Sequence, residues 1–301
     1  MKLGTRGSRL ARWQAEWVQR ALGSHGVTVE IVVIKTRGDA EVDRPLHELE
    51  GKGFFTKEIE DALLDERIDV AVHSLKDLPT RLPDGLALAA VPARHDPREA
   101  LVAPGSSSLL QLPPGARVGT SSLRRMTQVR YRRPDLEVVP LRGNVPTRVR
   151  KVAEGDGLDA ALLALAGLER LGLSGAGAHP IDPFEVMPAP GQGALGLEIR
   201  AADRATRDAL RPLEDAASAR AVAAERAVLA ALGGGCQAPV AAYVGSQESG
   251  VGSRLYGRVT ALDGVVQLTA SAPLDPARSE AAGEAVARLL EAEGAASLLA
   301  R

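Results

Sequence analysis

Arg117-Val118-Gly119-Thr120-Ser121-Ser122-Leu123-Arg124-Arg125 reads as a short strand, a turn of glycine and hydroxyl residues, and the opening of a helix capped by one of those hydroxyls. A strand-turn-helix junction of this kind aims backbone N–H groups at an anion. The pattern then returns. Glu137 to Leu141 reads as the next strand, followed by Arg142-Gly143-Asn144-Val145-Pro146 and a helix from about Thr147 with Pro146 near its first turn. Arg142 and Arg148 flank this second junction.

The amino-terminal half follows the same logic. Lys2 to Gly4 leads into Thr5-Arg6-Gly7-Ser8 and a helix through Trp13 and Trp17, and Val27 to Ile34 is a β-branched strand. Phe55, Ile59, Ala62 and Leu63 recur at helical spacing. Ile68 to Val72 then runs as a buried strand into His73-Ser74-Leu75-Lys76-Asp77. Alternating strands and helices imply mostly parallel sheets with ligands at the carboxyl ends of strands. Arg6, Ser8, Lys76, Asp77, Ser121, Ser122, Arg124, Arg125 and Arg142 all fall at such ends.

At 301 residues and 45% hydrophobic content the chain has room for two or three domains with separate cores. Its 37 basic and 38 acidic residues leave a formal charge of −1, so no global field draws it to nucleic acid or a membrane. The start, Met1-Lys2-Leu3-Gly4-Thr5-Arg6, lacks the apolar run of a signal peptide, and no apolar stretch is long enough to cross a bilayer. A soluble cytoplasmic protein is expected. The neutrality is uneven, however: between Arg117 and Lys151 nine arginines and one lysine face only Asp135 and Glu137, a local balance of +8. Arginine's planar fork pairs bidentately with carboxylate or phosphate. Arg130, Arg132 and Arg133, at a helix end, fit a solvated surface instead.

Two residues stand apart. Asp77 is a lone carboxylate among cations, and an anion-holding site gains from a negative group only if a cation forms during reaction, which makes Asp77 the candidate for stabilising one. His73 reads as a structural, hydrogen-bonded histidine. Cys236, the chain's single cysteine, can form no internal disulfide and follows the alanine-rich helix Ser218 to Leu232 in Gly233-Gly234-Gly235-Cys236-Gln237-Ala238-Pro239. A small buried hydrophobe and a nucleophile on an open loop both remain open for it. No metal site is expected from one sulfur.

Taken together, Thr5-Arg6-Gly7-Ser8-Arg9-Leu10-Ala11 with Gln14, Gly51-Lys52-Gly53-Phe54-Phe55-Thr56-Lys57-Glu58, His73-Ser74-Leu75-Lys76-Asp77-Leu78-Pro79, Gly119 to Arg125, Leu141 to Val145, Pro188-Ala189-Pro190-Gly191-Gln192-Gly193-Ala194 and the Cys236 loop resemble the porphobilinogen deaminase (hydroxymethylbilane synthase) family. The motifs keep the family's order across residues 5 to 239, and the last 60 or so residues add little. Arg9 stands where the family commonly has proline, and Glu50 where a glycine often precedes the Gly-Lys-Gly turn.

The resemblance implies a cytoplasmic monomeric transferase of porphyrin and haem biosynthesis. It joins four porphobilinogen molecules head to tail, with loss of ammonia, on a dipyrromethane cofactor held by a thioether to Cys236. It implies that Asp77 offsets the azafulvene-type cation left when ammonia departs, and that Lys76, Thr120, Ser121, Ser122, Arg124 and Arg125 surround the cofactor. Arg6, Ser8, Gln14, Arg142, Arg148, Arg170 and Gln192 match positions that bind carboxylates of substrate or growing chain. The implied fold is three α/β domains, the first two resembling type II periplasmic binding proteins: residues 1–95 with 195–214, then 96–194, then a smaller cofactor-attachment domain at 215–301. Hand-over of the product to uroporphyrinogen III synthase is implied as well.

Two other classes compete. A solute-binding module shares the two-lobed fold but needs no Cys236 loop, and a nucleic-acid binder could use the Arg117–Lys151 cluster, where Tyr131 is the only aromatic for stacking.

Overall fold

The computed structural model describes residues 1–40, 56–175, 177–233, 235, 238–246 and 252–299. Strand β1 (Lys2–Arg6) is followed by helix α1 (Arg9–Gly23), capped where Ser8 Oγ accepts the Ala11 N–H at 3.3 Å. Ala11, Gln14, Ala15, Val18 and Leu22 form the buried stripe of α1, spaced to lie on one face. β2 (Glu30–Ile34), the short α2 (Arg37–Ala40), α3 (Lys57–Leu64), β3 (Val70–Ser74) and β4 (Leu86–Ala90) follow. The chain then leaves, and returns much later as β10 (Leu195–Arg200). The first sheet has the order β2-β1-β3-β10-β4, with β1 parallel to β2 and β3, and β10 antiparallel to both of its neighbours. Leu3, Val70, Val72, Leu197 and Ile199 pack against the α1 stripe.

The second sheet repeats this plan. It is built from β5 (Glu99–Val102), β6 (Arg117–Gly119), β7 (Glu137–Val139), β8 (Ala160–Ala164) and β9 (Ala178–Pro180) in the order β7-β6-β8-β5-β9. Helices α4 (Leu123–Arg132), α5 (Val145–Ala153) and α6 (Leu165–Arg170) connect its strands. Apolar residues on its two faces feed separate cores, one around Leu101, Val118 and Leu162 and one around Ala100, Ala161 and Leu163. Two stretches link the lobes: 91–98 between β4 and β5, and 181–194 between β9 and β10. Where they touch, His95 N–H bonds Gly193 O at 3.2 Å, and Gly193 has φ +85°. A Cβ at Gly193 would come within 2.5 Å of His95 O, so the linkers can lie this close only with glycine there.

The third unit follows α7 (Arg204–Leu210). It sets α8 (Ala216–Ala231), α9 (Ser279–Ala292) and α10 (Ala295–Leu299) against an antiparallel meander of β11 (Val240–Ser246), β12 (Ser253–Thr260) and β13 (Gln267–Pro273). Alanine and Gly283 let α8 and α9 approach closely, since a Cβ at Gly283 would run into Ala224 O. Three α/β units, the first two alike in strand order, are the architecture expected from the sequence. The expected strands run shorter or shifted: β2 begins at Glu30 and β3 covers Val70–Ser74. No helix among the described residues is long and apolar enough to cross a membrane.

Candidate active site in the cleft between the lobes

The carboxyl ends of β3 and β6 face each other across a cavity of about 180 Å³, lined by Lys76 and Asp77 from one lobe and by Ser121, Ser122, Arg124, Arg125 and Arg148 from the other. The third unit closes it with Leu229, Gly235, Ala238 and Val240. A second cavity, about 70 Å³, is lined by Arg6, Ser8, Gln14, Ser74, His73 and again Asp77. Asp77 is the one carboxylate among the described residues lining either cavity.

The two arginines at the start of α4 are nearly buried and share one acid that the sequence reading missed. Glu99, with no exposed surface, accepts from Arg124 Nη2 at 2.6 Å and from Arg125 Nη2 at 2.8 Å. Their other Nη atoms donate to Met187 O at 2.6 Å and Leu162 O at 3.0 Å. Burial pushes the Glu99 carboxyl up, but Arg125 and Arg124 outweigh it and hold the group at about 2. One carboxylate against two guanidiniums leaves a net positive charge. Lys76 adds to it, donating to Gln192 Oε1 at 3.2 Å; burial and then the like charge of Arg125 push its ammonium down to about 8, against the pull of Asp77 and Glu99. The chemical complement of this wall is a polycarboxylate.

The turn before α4 is fixed by its hydroxyls. Ser121 Oγ donates to Leu141 O at 2.9 Å and accepts the Leu141 N–H at 3.1 Å, tying one anion-facing junction to the next. Thr120 Oγ1 accepts the Ser122 N–H at 3.2 Å. Ser122 is the N-cap of α4 without a side-chain capping bond, and the first helical bond is Met126 N–H to Ser122 O. The N–H groups ahead of it at the cavity wall are the ordinary anion donors of a helix start.

The expected carboxylate-binding residues are distributed unevenly. Arg148 lies in α5, donates through Nε to Gly143 O at 2.8 Å, and is pushed down to about 10 by burial and by Arg125 and Arg142. Arg170, at the end of α6, is 6% exposed, donates to Gly193 O at 2.7 Å, and sits 5.8 Å over the Trp13 ring, while its buried Nε has no hydrogen-bond partner. Arg6 and Ser8 flank the smaller cavity, and Arg142 couples electrostatically to Arg148. Gln14, nearly buried, donates to Ser74 Oγ at 2.8 Å. Gln192 is fully buried and spends its amide on the linker, donating to Pro97 O at 2.8 Å while accepting from Lys76. His73 bonds Glu198 at 3.0 Å inside the first lobe, the structural role expected of it. Of the helix-end arginines Arg132 is exposed, as expected, whereas Arg130 donates to Leu262 O and Arg133 to the carbonyls of Leu109 and Leu112 as well as Asp135, so these two tie elements together.

The third unit grips the site through residues that composition hid inside an alanine-rich helix. Arg226 of α8 donates to the carbonyls of Leu75, Leu78 and Pro79, holding the turn that carries Lys76 and Asp77. Glu225, fully buried, takes a bidentate pair from Arg94 at 2.8 and 2.9 Å and accepts the N–H groups of Gly191 and Val244. The only hint in the sequence is the acid-base pair Glu225-Arg226 interrupting a run of small residues. Cys236 lies outside the described residues, as do the motif residues Gly51 to Phe55; Gly235 and Ala238, on either side of the cysteine segment, line the cavity.

Fold and site define a two-lobed α/β protein with a cation-lined cleft, closed by a third unit. Residues 1–208 match the porphobilinogen deaminase, dipyromethane cofactor binding domain, and residues 219–292 the porphobilinogen deaminase, C-terminal domain. The chain belongs to the porphobilinogen deaminase family. It is 50% identical over 304 residues to the porphobilinogen deaminase of Syntrophotalea carbinolica, covering 100% of this chain and 95% of that protein. To that of Moorella thermoacetica it is 49% identical over 301 residues, covering 99% and 95%. Among solved structures, a periplasmic substrate-binding protein of an ABC transporter from Coxiella burnetii is similar at 14% identity and TM-score 0.45, covering 74% of this chain and 96% of that one. The family places the chain among the transferases of tetrapyrrole biosynthesis, with a dipyrromethane cofactor.

Proposed function

We propose that the cleft between the lobes joins four porphobilinogen molecules into the linear tetrapyrrole hydroxymethylbilane, with Asp77 as the catalytic carboxylate and Cys236 as the attachment point of the dipyrromethane. The observation that carries this reading is the position of Asp77, shared by two adjoining cavities whose other charged lining residues are cations, His73 aside. The donor set fits the cofactor: Lys76, Ser121, Ser122, Arg124 and Arg125 line the cavity with cations, hydroxyls and a helix start for the acetate and propionate groups of a dipyrrole, and Thr120 acts from behind them by holding the Ser122 N–H. Bound there, the cofactor supplies the pyrrole carbon end to which substrate is joined. Asp77 offsets the positive charge that develops when ammonia leaves, in a site where closed walls strengthen the interaction. Arg6, Ser8, Gln14, Arg142, Arg148 and Arg170 receive carboxylates of incoming and added units. Gln192, whose amide is already spent, acts by holding Lys76 and the linker.

The domain division that accompanies this reading is 1–95 with 195–214, 96–194, and 215–301, supported by the sheet membership of β10 and β5. The reading includes a protein that works as a cytoplasmic monomer and passes its product to uroporphyrinogen III synthase. Mass spectra after a porphobilinogen pulse test the roles of the arginines. Arg142→Ala should stall after one or two added pyrroles, and Arg125→Ala should carry no dipyrrole at all. Identical ladders in the two variants would sink the staged assignment.

A further inference from the structure

Gln128 lies one helical turn beyond Arg124 in α4, is 1% exposed, and has its side-chain amide saturated. Its Nε2 donates to Arg124 O and to Met187 O, both at 3.1 Å. Its Oε1 accepts the Met187 N–H at 2.8 Å and Arg258 Nη1 at 3.0 Å. Both polar groups of Met187's backbone are therefore clamped by one side chain. The same Met187 carbonyl is one of the two anchors that aim the Arg124 guanidinium, the other being Glu99. Arg258 comes from β12, in the unit that carries Cys236; it is 7% exposed, and burial pushes it down to about 10. A desolvated guanidinium bonded to a buried amide is poorly replaced by water, so this tie has a fixed geometry.

We infer that Gln128 is a positioning residue for the cofactor side of the reaction. It fixes the Met187 carbonyl that aims Arg124, and through Arg258 it registers the cysteine-bearing unit against the arginine pair. The inference rests on the reading that Arg124 holds a cofactor carboxylate. Two donors and a doubly accepting oxygen are what an amide offers and a carboxylate does not. Gln128→Glu keeps the acceptor for Arg258 and Met187 N–H but sets an oxygen against the carbonyls of Arg124 and Met187. Arg258→Met removes the tie to the third unit and leaves the Met187 clamp in place.

The test follows cofactor acquisition by folded apo-protein incubated with porphobilinogen, read as intact mass against time. Gln128→Glu and Gln128→Met should each slow acquisition about tenfold, the effect of one to two lost hydrogen bonds, and Arg258→Met should slow it less. A residue acting through Arg124 has nothing left to position once Arg124 is gone, so in an Arg124→Met background Gln128→Glu should change the rate no further. Arg124→Lys serves in the same cycle if the methionine variant does not fold. Wild-type rates in Gln128→Glu, or an equal slowing in both backgrounds, overturn the inference while leaving the functional reading intact. A wild-type protein that never gains the mass of a dipyrrole overturns the functional reading, and the inference with it.

Discussion

Glu99→Gln is the perturbation whose consequence the structure fixes most closely. The carboxylate has no exposed surface and neutralises half the charge of two nearly buried guanidiniums at 2.6 and 2.8 Å. The amide keeps the shape and removes the charge, leaving Arg124 and Arg125 facing each other beside Lys76. Breaking a buried pair by removing one partner costs roughly 3–5 kcal/mol. At about 2–3 °C per kcal/mol for a chain of this size, the melting temperature should fall on the order of 10 °C. Because the folded carboxyl titrates at about 2 against an ordinary 4.5, its contribution is complete at neutral pH and is lost as pH falls from 4.5 toward 2. The variant should lack that acid-dependent loss. A tetracarboxylate ligand should also raise the melting temperature of cofactor-free Glu99→Gln more than that of cofactor-free wild type, because it supplies the missing negative charge. Thermal melts at pH 7 and pH 4, with and without ligand, read all three effects. A variant melting within 1–2 °C of wild type at pH 7 would refute the role given to Glu99.

Asp77→Asn should lower turnover on the order of a hundredfold with a much smaller change in KM, checked by steady-state kinetics; weakened binding at unchanged turnover would make Asp77 a positioning group only. Lys76 loses its proton as pH rises through about 8, so affinity for carboxylate ligands should decline above that point; the decline should be absent in Lys76→Met, and its survival there would assign it to another group.

The sequence carried the fold where local signals were strong. Strand-turn-helix punctuation at Gly119 to Ser122 and Gly143 to Pro146 located both junctions of the second lobe, and the apolar run into His73 located that of the first. The cleft residues sit at those junctions, which is why they could be named. What stayed hidden depends on distant partners. Glu99 is an acid in a four-residue strand until folding brings it against arginines that lie 25 and 26 positions further along the chain. Glu225 and Arg226 look like solvated charges on an alanine-rich helix until α8 docks on the linkers and on the Leu75–Pro79 turn. The turn's hydroxyl residues were legible as a helix start, and Ser122 is the N-cap; the bond from the Ser121 hydroxyl to Leu141, a contact across 20 residues, was not.

The most direct measurement of the central claim is the intact mass of the purified protein beside that of Cys236→Ser. Wild type should exceed its sequence mass by a covalent dipyrrole, and the serine variant, lacking a thiolate to capture the pyrrole, should match its sequence mass and make no tetrapyrrole. A wild-type mass equal to that of the sequence, or a serine variant that still turns over near the wild-type rate, would contradict the account.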